Sequence, residues 1–403
     1  MNEVAANDNQ VLRGVRVLEM GQLIAGPFAG QMLAAFGAEV IKLEPPGRGD
    51  PLRKWRVLDD EGTSYWWRSI ARNKKSVTVD LGIPAGREIA RQLMCASDVV
   101  IENFRPGRME AWGLGPEDIR QDNPELIYTR VSGYGQSGPY ASRPGFASAC
   151  EGVAGLRYVN GYPGETPVRL NLSLGDTLAG MHAMVGTMLA LFNRQAGCGG
   201  QSVDVSIVES IFNMLEGVYP EYDGRGVVRE PSGSTLTGIV PTNTYRCLDG
   251  RFIVIGGNGD SIFKRLMNLI GRADLANDPR MQDNVGRVSC EREIDAALQD
   301  WTSGIDAEIA LQQLDNTDVP AGPINSIREI AEDPHFIARG AFEAVMVNGK
   351  PRRLPAVHPK LDATPAVTRW PGPEVGEHTV EVLHDWLGAS DIEIENWRTS
   401  KIV

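Results

Sequence analysis

Three runs near the start of the chain constrain its fold more than any other feature. "VRVLEM" (15–20) reads as a buried strand, "FAGQMLAAFGA" (28–38) as a helix with a glycine stop, and "EVIKLE" (39–44) as a second strand. Parallel neighbours cannot be joined by a tight turn, so a strand, a helix and a strand in about thirty residues point to a parallel crossover unit. The pattern returns: "SVTVDL" (76–81), a helix near 84–96, "DVVIENF" (98–104), a short helix near 116–122, and "LIYTRVSGYG" (126–135). Continuous apolar strands between helices predict a sheet covered on both faces. The turn "GQLIAGPFAG" is glycine-rich but lacks the GxGxxG spacing, so no nicotinamide dinucleotide site is read there.

Past residue 170 the pattern changes. A long buried helix is predicted over 177–195, then a strand running into a helix in "QSVDVSIVESIFNML" (201–215). The polar, glycine-rich 222–238 reads as linker and loop. "NTYRCLDGRFIVIGG" (243–257) reads as a hairpin turning at Asp249-Gly250, with helices near 260–271, 291–303 and 306–315. Residues 376–388 read as a capped amphipathic helix packed back on the first domain. The expected organisation is a large α/β domain, 1–225, a smaller α+β domain, 226–334, and a return to the large domain over 335–403.

The net charge of −12 argues against an electrostatic nucleic-acid binder, though it leaves room for a local basic cleft. The five cysteines are widely spaced and form neither a CxxC pair nor a metal cluster, which predicts a reduced cytoplasmic setting and no metal. The first ten residues, "MNEVAANDNQ", show no signal-peptide pattern, and the longest apolar stretch, near 181–192, is too short to span a bilayer. A soluble protein without a membrane partner is expected.

One acid stands out. Asp176 in "NLSLGDTLAG" (171–180) opens an apolar segment nearly free of charge. An Asp in that place can cap a helix by accepting from its first free N–H groups, or it can serve chemistry in a dry pocket. The residues alone leave both open.

Eight stretches in order resemble the family III CoA-transferases: "LIAGPFAGQMLAAFGAEVIKLEPPGRGD", "RNKKSVTVDL", "VIENFRPG", "SGYGQSGP", "LGDTLAG", "VPAGPINS", "DPHF" and "GEHT". The resemblance implies a Rossmann-like large domain built from both ends of the chain and a smaller domain between. It also implies an interlocked homodimer that moves coenzyme A from an acyl-CoA donor, such as succinyl-CoA, to a small carboxylic acid. Asp176 matches the family nucleophile, which passes CoA through an aspartyl-CoA thioester.

Lys74 and the Asn103-Phe104 pair match family residues at the adenine end of CoA. Arg72, Lys75, Arg105 and Arg108 are further candidates for its phosphates, or are solvated surface charges. Pro45 and Ala111 stand where formyl-CoA transferase has arginines, and Arg48 is a candidate substitute. In the acyl pocket, beside Ala25, Ile24 replaces a glutamine. Ser132 replaces a lysine and Tyr134 keeps the family tyrosine. These departures disfavour oxalate as acceptor and leave short dicarboxylic and branched acids open. Arg169 is either an acceptor-carboxylate ligand or a structural ion pair. Gly257-Asn258 and the "SGSTLTG" loop are either lids or plain turns. α-Methylacyl-CoA racemase shares the fold, but its histidine falls near Phe146, where this chain has none. His182 reads as a packed core residue. A non-catalytic CoA-binding homologue is the other alternative, against which the intact "LGD" argues.

Overall fold

The computed structural model describes residues 10–403; the N-terminal segment in which no signal peptide is read lies outside them. The first crossover is as read: β1 (Arg16–Glu19), α1 (Ala25–Ala35) and β2 (Glu39–Glu44). α1 begins three residues earlier than predicted, with Pro27 inside its first turn. Proline is tolerated there because that N–H has no intrahelical partner. Next come β3 (Lys74–Thr78), β4 (Val99–Glu102), β5 (Ile127–Ser132) and β6 (Ser202–Ser206). All pair in parallel in the order β3-β2-β1-β4-β5-β6, the order of doubly wound nucleotide-binding sheets. The chain steps outward from β1 to β3, then crosses back to β4, so the order reverses between β1 and β4.

Both faces of this sheet are covered. On one, α1 and the Leu174–Gln195 helix bury Val17, Val40, Val99 and Ile127 with their own alanines and leucines. On the other, the Pro84–Cys95 helix and the Thr379–Leu387 helix bury Leu18, Ile41, Val100 and Tyr128. The Thr379–Leu387 helix is tied on by a hydrogen bond from Thr78 N–H to Thr379 Oγ1 at 3.1 Å.

The chain divides into two compact units. The first comprises the described residues to Leu156, Leu170–Glu216 and Ala338–Val403; the second comprises Arg157–Arg169 and Gly217–Ile337. The second holds an antiparallel sheet of β7 (Thr242–Arg246), β8 (Phe252–Gly256) and β9 (Ala321–Pro323). It has its own core of Tyr245, Ile253, Ile255, Phe263, Leu266 and Leu298. The stretch read as linker is partly ordered, because the Val218–Arg225 helix runs into it. An unread hairpin joins β10 (Phe342–Val347) to β11 (Lys350–Pro355).

Candidate active site

The long helix starts at Leu174, so Asp176 is its third residue and not its cap. Ser173 is the N-cap and makes no side-chain capping bond. The N-cap position is therefore not that of Asp176, although an acid in the first turn still suits the positive end of the helix dipole. What seats this turn is Gly175. A Cβ there would lie 2.9 Å from Ile211 Cδ1 and within 3.4 Å of Ile207 and Ala147. One turn later, a Cβ at Gly180 would lie 2.7 Å from the Ala25 carbonyl oxygen. Glycine thus brings the Asp176 turn against the Ala147–Val153 helix on one side and the opening of α1 on another.

Asp176 is half-buried beside Cys150. Burial, and then the Asp176 charge, push the Cys150 thiol up to about 11, so it stays protonated and does not compete as a nucleophile. Its Sγ lies 3.6 Å from the Gly133 carbonyl oxygen. Ser132 ends β5 buried, its Oγ without a hydrogen-bond partner among the described residues. Tyr134 is half-buried, edge-on to Tyr140 with ring centroids 5.8 Å apart. Ile24 and Ala25 are buried where α1 begins. Asp176, Cys150, Ser132, Tyr134, Ile24 and Ala25 all belong to the first unit, on segments that follow the carboxyl ends of β1 and β5.

The predicted cofactor residues divide. Lys74 and Lys75 open β3 instead of lying in a loop. Lys74 is fully buried, paired to Glu19 at 2.6 Å and donating to the Pro27 carbonyl at 2.7 Å. Burial pulls its ammonium down to about 8 despite the carboxylate. Arg72 is buried and donates to Ser69 and to the Pro355 carbonyl. Lys75 bridges Glu39 and Glu381, at 2.8 and 2.7 Å. Lys74 and Lys75 thus already face carboxylates inside the protein, and Arg72 is engaged by neutral oxygens.

Asn103 exchanges hydrogen bonds with the Gln22 backbone at 2.7 and 2.8 Å, and so holds a turn. Phe104 stacks edge-on to Trp112, while Arg105 and Arg108 are exposed, the latter over the Trp112 ring. A cavity of about 260 Å³ opens here, lined by Met20, Gln22, Pro45, Arg48, Phe104 and Trp112 among others. It lies past the carboxyl ends of β1 to β4, at the reversal of strand order where such sheets bind ligands. Trp112 went unread, and its signal was an aromatic eight residues beyond Phe104.

Arg169, Gly257 and Asn258 fall in the second unit. A Cβ at Gly257 would lie 2.5 Å from Leu266 Cδ2, so this glycine serves packing. The Asn258 carbonyl accepts from Arg287 at 2.6 Å. His182 is half-buried with Nδ1 3.0 Å from the Leu178 carbonyl, and Phe146, at the racemase histidine position, is exposed.

The cavity at the strand reversal and the acid in the first turn of the long helix both belong to the first unit. The family model for CoA-transferase family III matches residues 12–379, and the chain belongs to that family and is a CoA-transferase. It is 42% identical to the succinyl-CoA–D-citramalate CoA-transferase of Chloroflexus aurantiacus, over 97% of this chain and 98% of that one. It is 33% identical to the succinate–glutarate CoA-transferase of Agrobacterium fabrum, over 94% of this chain and 96% of that one. A crystal structure of a CaiB/BaiF family protein from Brucella suis superposes with a TM-score of 0.83 at 31% identity, covering 94% of this chain and all of that one.

Proposed function

We propose that the enzyme moves CoA from succinyl-CoA to a short dicarboxylic acid, citramalate, malate or glutarate in type, with Asp176 as nucleophile. The observation that carries this reading is the placement of Asp176. It is half-buried in the first turn of a helix whose next turn is fitted by glycine to the α1 opening. The positive end of the helix dipole favours a negative charge at that place. Its carboxylate attacks the donor thioester carbonyl, giving a mixed anhydride and CoA thiolate. The thiolate attacks the Asp176 carbonyl of that anhydride, forming the aspartyl-CoA thioester and releasing succinate. The acceptor carboxylate then attacks this thioester, again expelling CoA thiolate. Attack of the thiolate on the acceptor carbonyl releases the new acyl-CoA and restores Asp176.

The nucleotide end of CoA is assigned to the Phe104–Trp112 cavity, with Arg48, Arg105 and Arg108 as phosphate ligands. Ile24 and Ser132 make the acyl pocket less polar than oxalate requires. The named acceptors of the relatives agree with that expectation for them. The working state is a homodimer. Met181, Val185, Leu189 and Phe192, at helical spacing on the long helix, are exposed in the single chain, and a second copy is the occupant assigned to that stripe. Five free thiols suit a reducing cytoplasm.

The test incubates the protein with succinyl-CoA and, separately, D-citramalate, L-malate, glutarate and oxalate, and identifies new thioesters by mass spectrometry. Hydroxylamine added with donor alone should leave a hydroxamate on Asp176. A hydroxamate on another carboxylate, or transfer to oxalate alone, would overturn the assignment.

A further inference from the structure

Between β1 and α1 the chain passes through Gly21–Ile24, and three successive residues of this turn are held through their backbone. Lys42 Nζ donates to the Gly21 carbonyl. Gln22 is clasped by the Asn103 side chain. The Leu23 N–H donates to both oxygens of Asp50, at 3.2 and 3.1 Å. Leu23 has φ of +64°, the left-handed region, which costs a leucine about 1 kcal/mol or more and persists only where its surroundings enforce it.

The enforcing group is itself anchored. The buried Asp50 carboxylate also accepts from Leu52 N–H at 2.9 Å and pairs with Lys42 at 2.9 Å. Lys42 pairs in turn with Glu19 at 3.2 Å, and Glu19 with Lys74 at 2.6 Å. Two cations and two carboxylates thus balance inside the fold, with α1 lying directly over them. A Cβ at Gly30 of α1 would fall 1.9 Å from Glu19 Oε2. Pairing alone explains why these charges are tolerated. It does not explain why one carboxylate is aimed at the amide of a strained leucine. The destination of the segment does: its next residues are Ile24 and Ala25, and the Ala25 carbonyl abuts Gly180, one helical turn beyond Asp176.

We propose that Asp50 is a positioning residue for CoA transfer: held by Lys42, it keeps Leu23 left-handed and so fixes the α1 opening against the turn that carries Asp176. The proposal rests on the reading of Asp176 as nucleophile with Ile24 and Ala25 as pocket wall. Displacement of reacting groups by about an ångström can cost a hundredfold in rate, so the loss falls on turnover and spares donor binding.

The experiment compares Asp50→Ala, Asp50→Asn and Asp50→Ala with Leu23→Gly, in the full chain, with succinyl-CoA and D-citramalate. Asp50→Asn keeps the shape and an acceptor for Leu23 but loses the ion pair, so it stands in if Asp50→Ala does not fold. The expected result is a kcat at least tenfold lower in Asp50→Ala, a smaller loss in Asp50→Asn, and a KM for succinyl-CoA within threefold of wild type. Glycine adopts the left-handed region freely, so adding Leu23→Gly should recover at least threefold in kcat. A merely structural role for Asp50 would show no such rescue. Amide exchange supplies a readout independent of chemistry: the Leu23 N–H should exchange at least tenfold faster in Asp50→Ala and by a smaller factor, at least twofold, in Asp50→Asn, while β4 amides do not change. Wild-type kcat in a folded variant, no rescue, or unchanged Leu23 exchange overturns the proposal. Normal turnover in Asp176→Asn would instead sink the nucleophile reading, and exchange at Leu23 would still decide the role of Asp50.

Discussion

On the β1–β3 side of the sheet, Glu19, Lys42, Asp50 and Lys74 are buried and matched to one another, with Glu44 and Arg53 paired nearby at 2.8 Å. On the β5–β6 side, the turn carrying Asp176 is seated by Ile207, Ile211 and Ala147 through Gly175. The first region is dense in charge yet offers little of it to a ligand. The second sets the Asp176 carboxylate on a turn packed by apolar side chains. With Asp176 proposed as the nucleophile, a count of charged residues points to the opposite side of the sheet. What matters is whether a charge is already neutralised by its neighbours.

Asp176→Asn tests this contrast most directly. It should leave the melting temperature within a few degrees of wild type and lower kcat roughly 10⁴-fold, because an amide oxygen is a poor nucleophile. Steady-state kinetics beside a thermal melt would settle it, and an Asn variant with wild-type turnover would return Asp176 to a structural role.

The two regions should also differ in their tolerance of one added methyl group. Gly30→Ala drives a Cβ into the Glu19 carboxylate and should cost about 3 kcal/mol or more in urea unfolding. Gly175→Ala comes closest to the far end of Ile211, which can shift, with Ile207 and Ala147 at 3.3 and 3.4 Å, and should cost about 1 kcal/mol. Equal losses would mean that the charged region is no more rigid than the apolar one.

Lys74→Met sharpens the distinction between matched and available charge. Binding of CoA and of dephospho-CoA should weaken by the same factor, since this ammonium is spent on Glu19. Arg48→Ala, at the exposed cavity, should weaken CoA roughly tenfold. A selective loss of CoA in Lys74→Met, read by calorimetry, would place Lys74 at the 3′-phosphate instead.

Lys74 also predicts a pH effect. Its folded-state value of about 8 lies below the ordinary 10.5, so between those values the unfolded chain holds the extra proton. Raising the pH through that window should therefore stabilise wild type relative to Lys74→Met, on the order of 1 kcal/mol per pH unit. Denaturant midpoints at pH 7.5 and 9.5 would check the sign; a constant difference would contradict it.

Much of the first unit was legible because its strands are apolar runs separated by helices, and Val17, Val40 and Val99 are buried where that pattern put them. The start of β3 was not, since "RNKK" has loop composition. Lys74 is a strand residue only because Glu19, three-dimensionally adjacent, accepts its charge. A lysine in the middle of "EVIKLE" was the readable sign of such a cluster, for a sheet covered on both faces must pair any charge it buries. The hairpin at Asn348-Gly349 also had its signal: both residues have positive φ, as the favoured two-residue hairpin turn requires. Asp176 was conspicuous as a lone acid, but its position three residues inside the helix depends on Gly175 fitting Ile211, a contact 36 residues away in the chain.

The glycines of the long helix act like the teeth of a key. Gly175 meets Ile211, Gly180 meets Ala25 and Phe28, and Gly186 meets Val203 of β6. At about 100° per residue, Gly175 and Gly186 point nearly the same way and Gly180 lies about 140° round the axis. Inserting one residue between Gly175 and Gly180 would turn one tooth out of its slot whichever end stayed fixed. Descendants of this chain can thus lengthen their loops freely, but this helix can change length only beyond its outermost teeth.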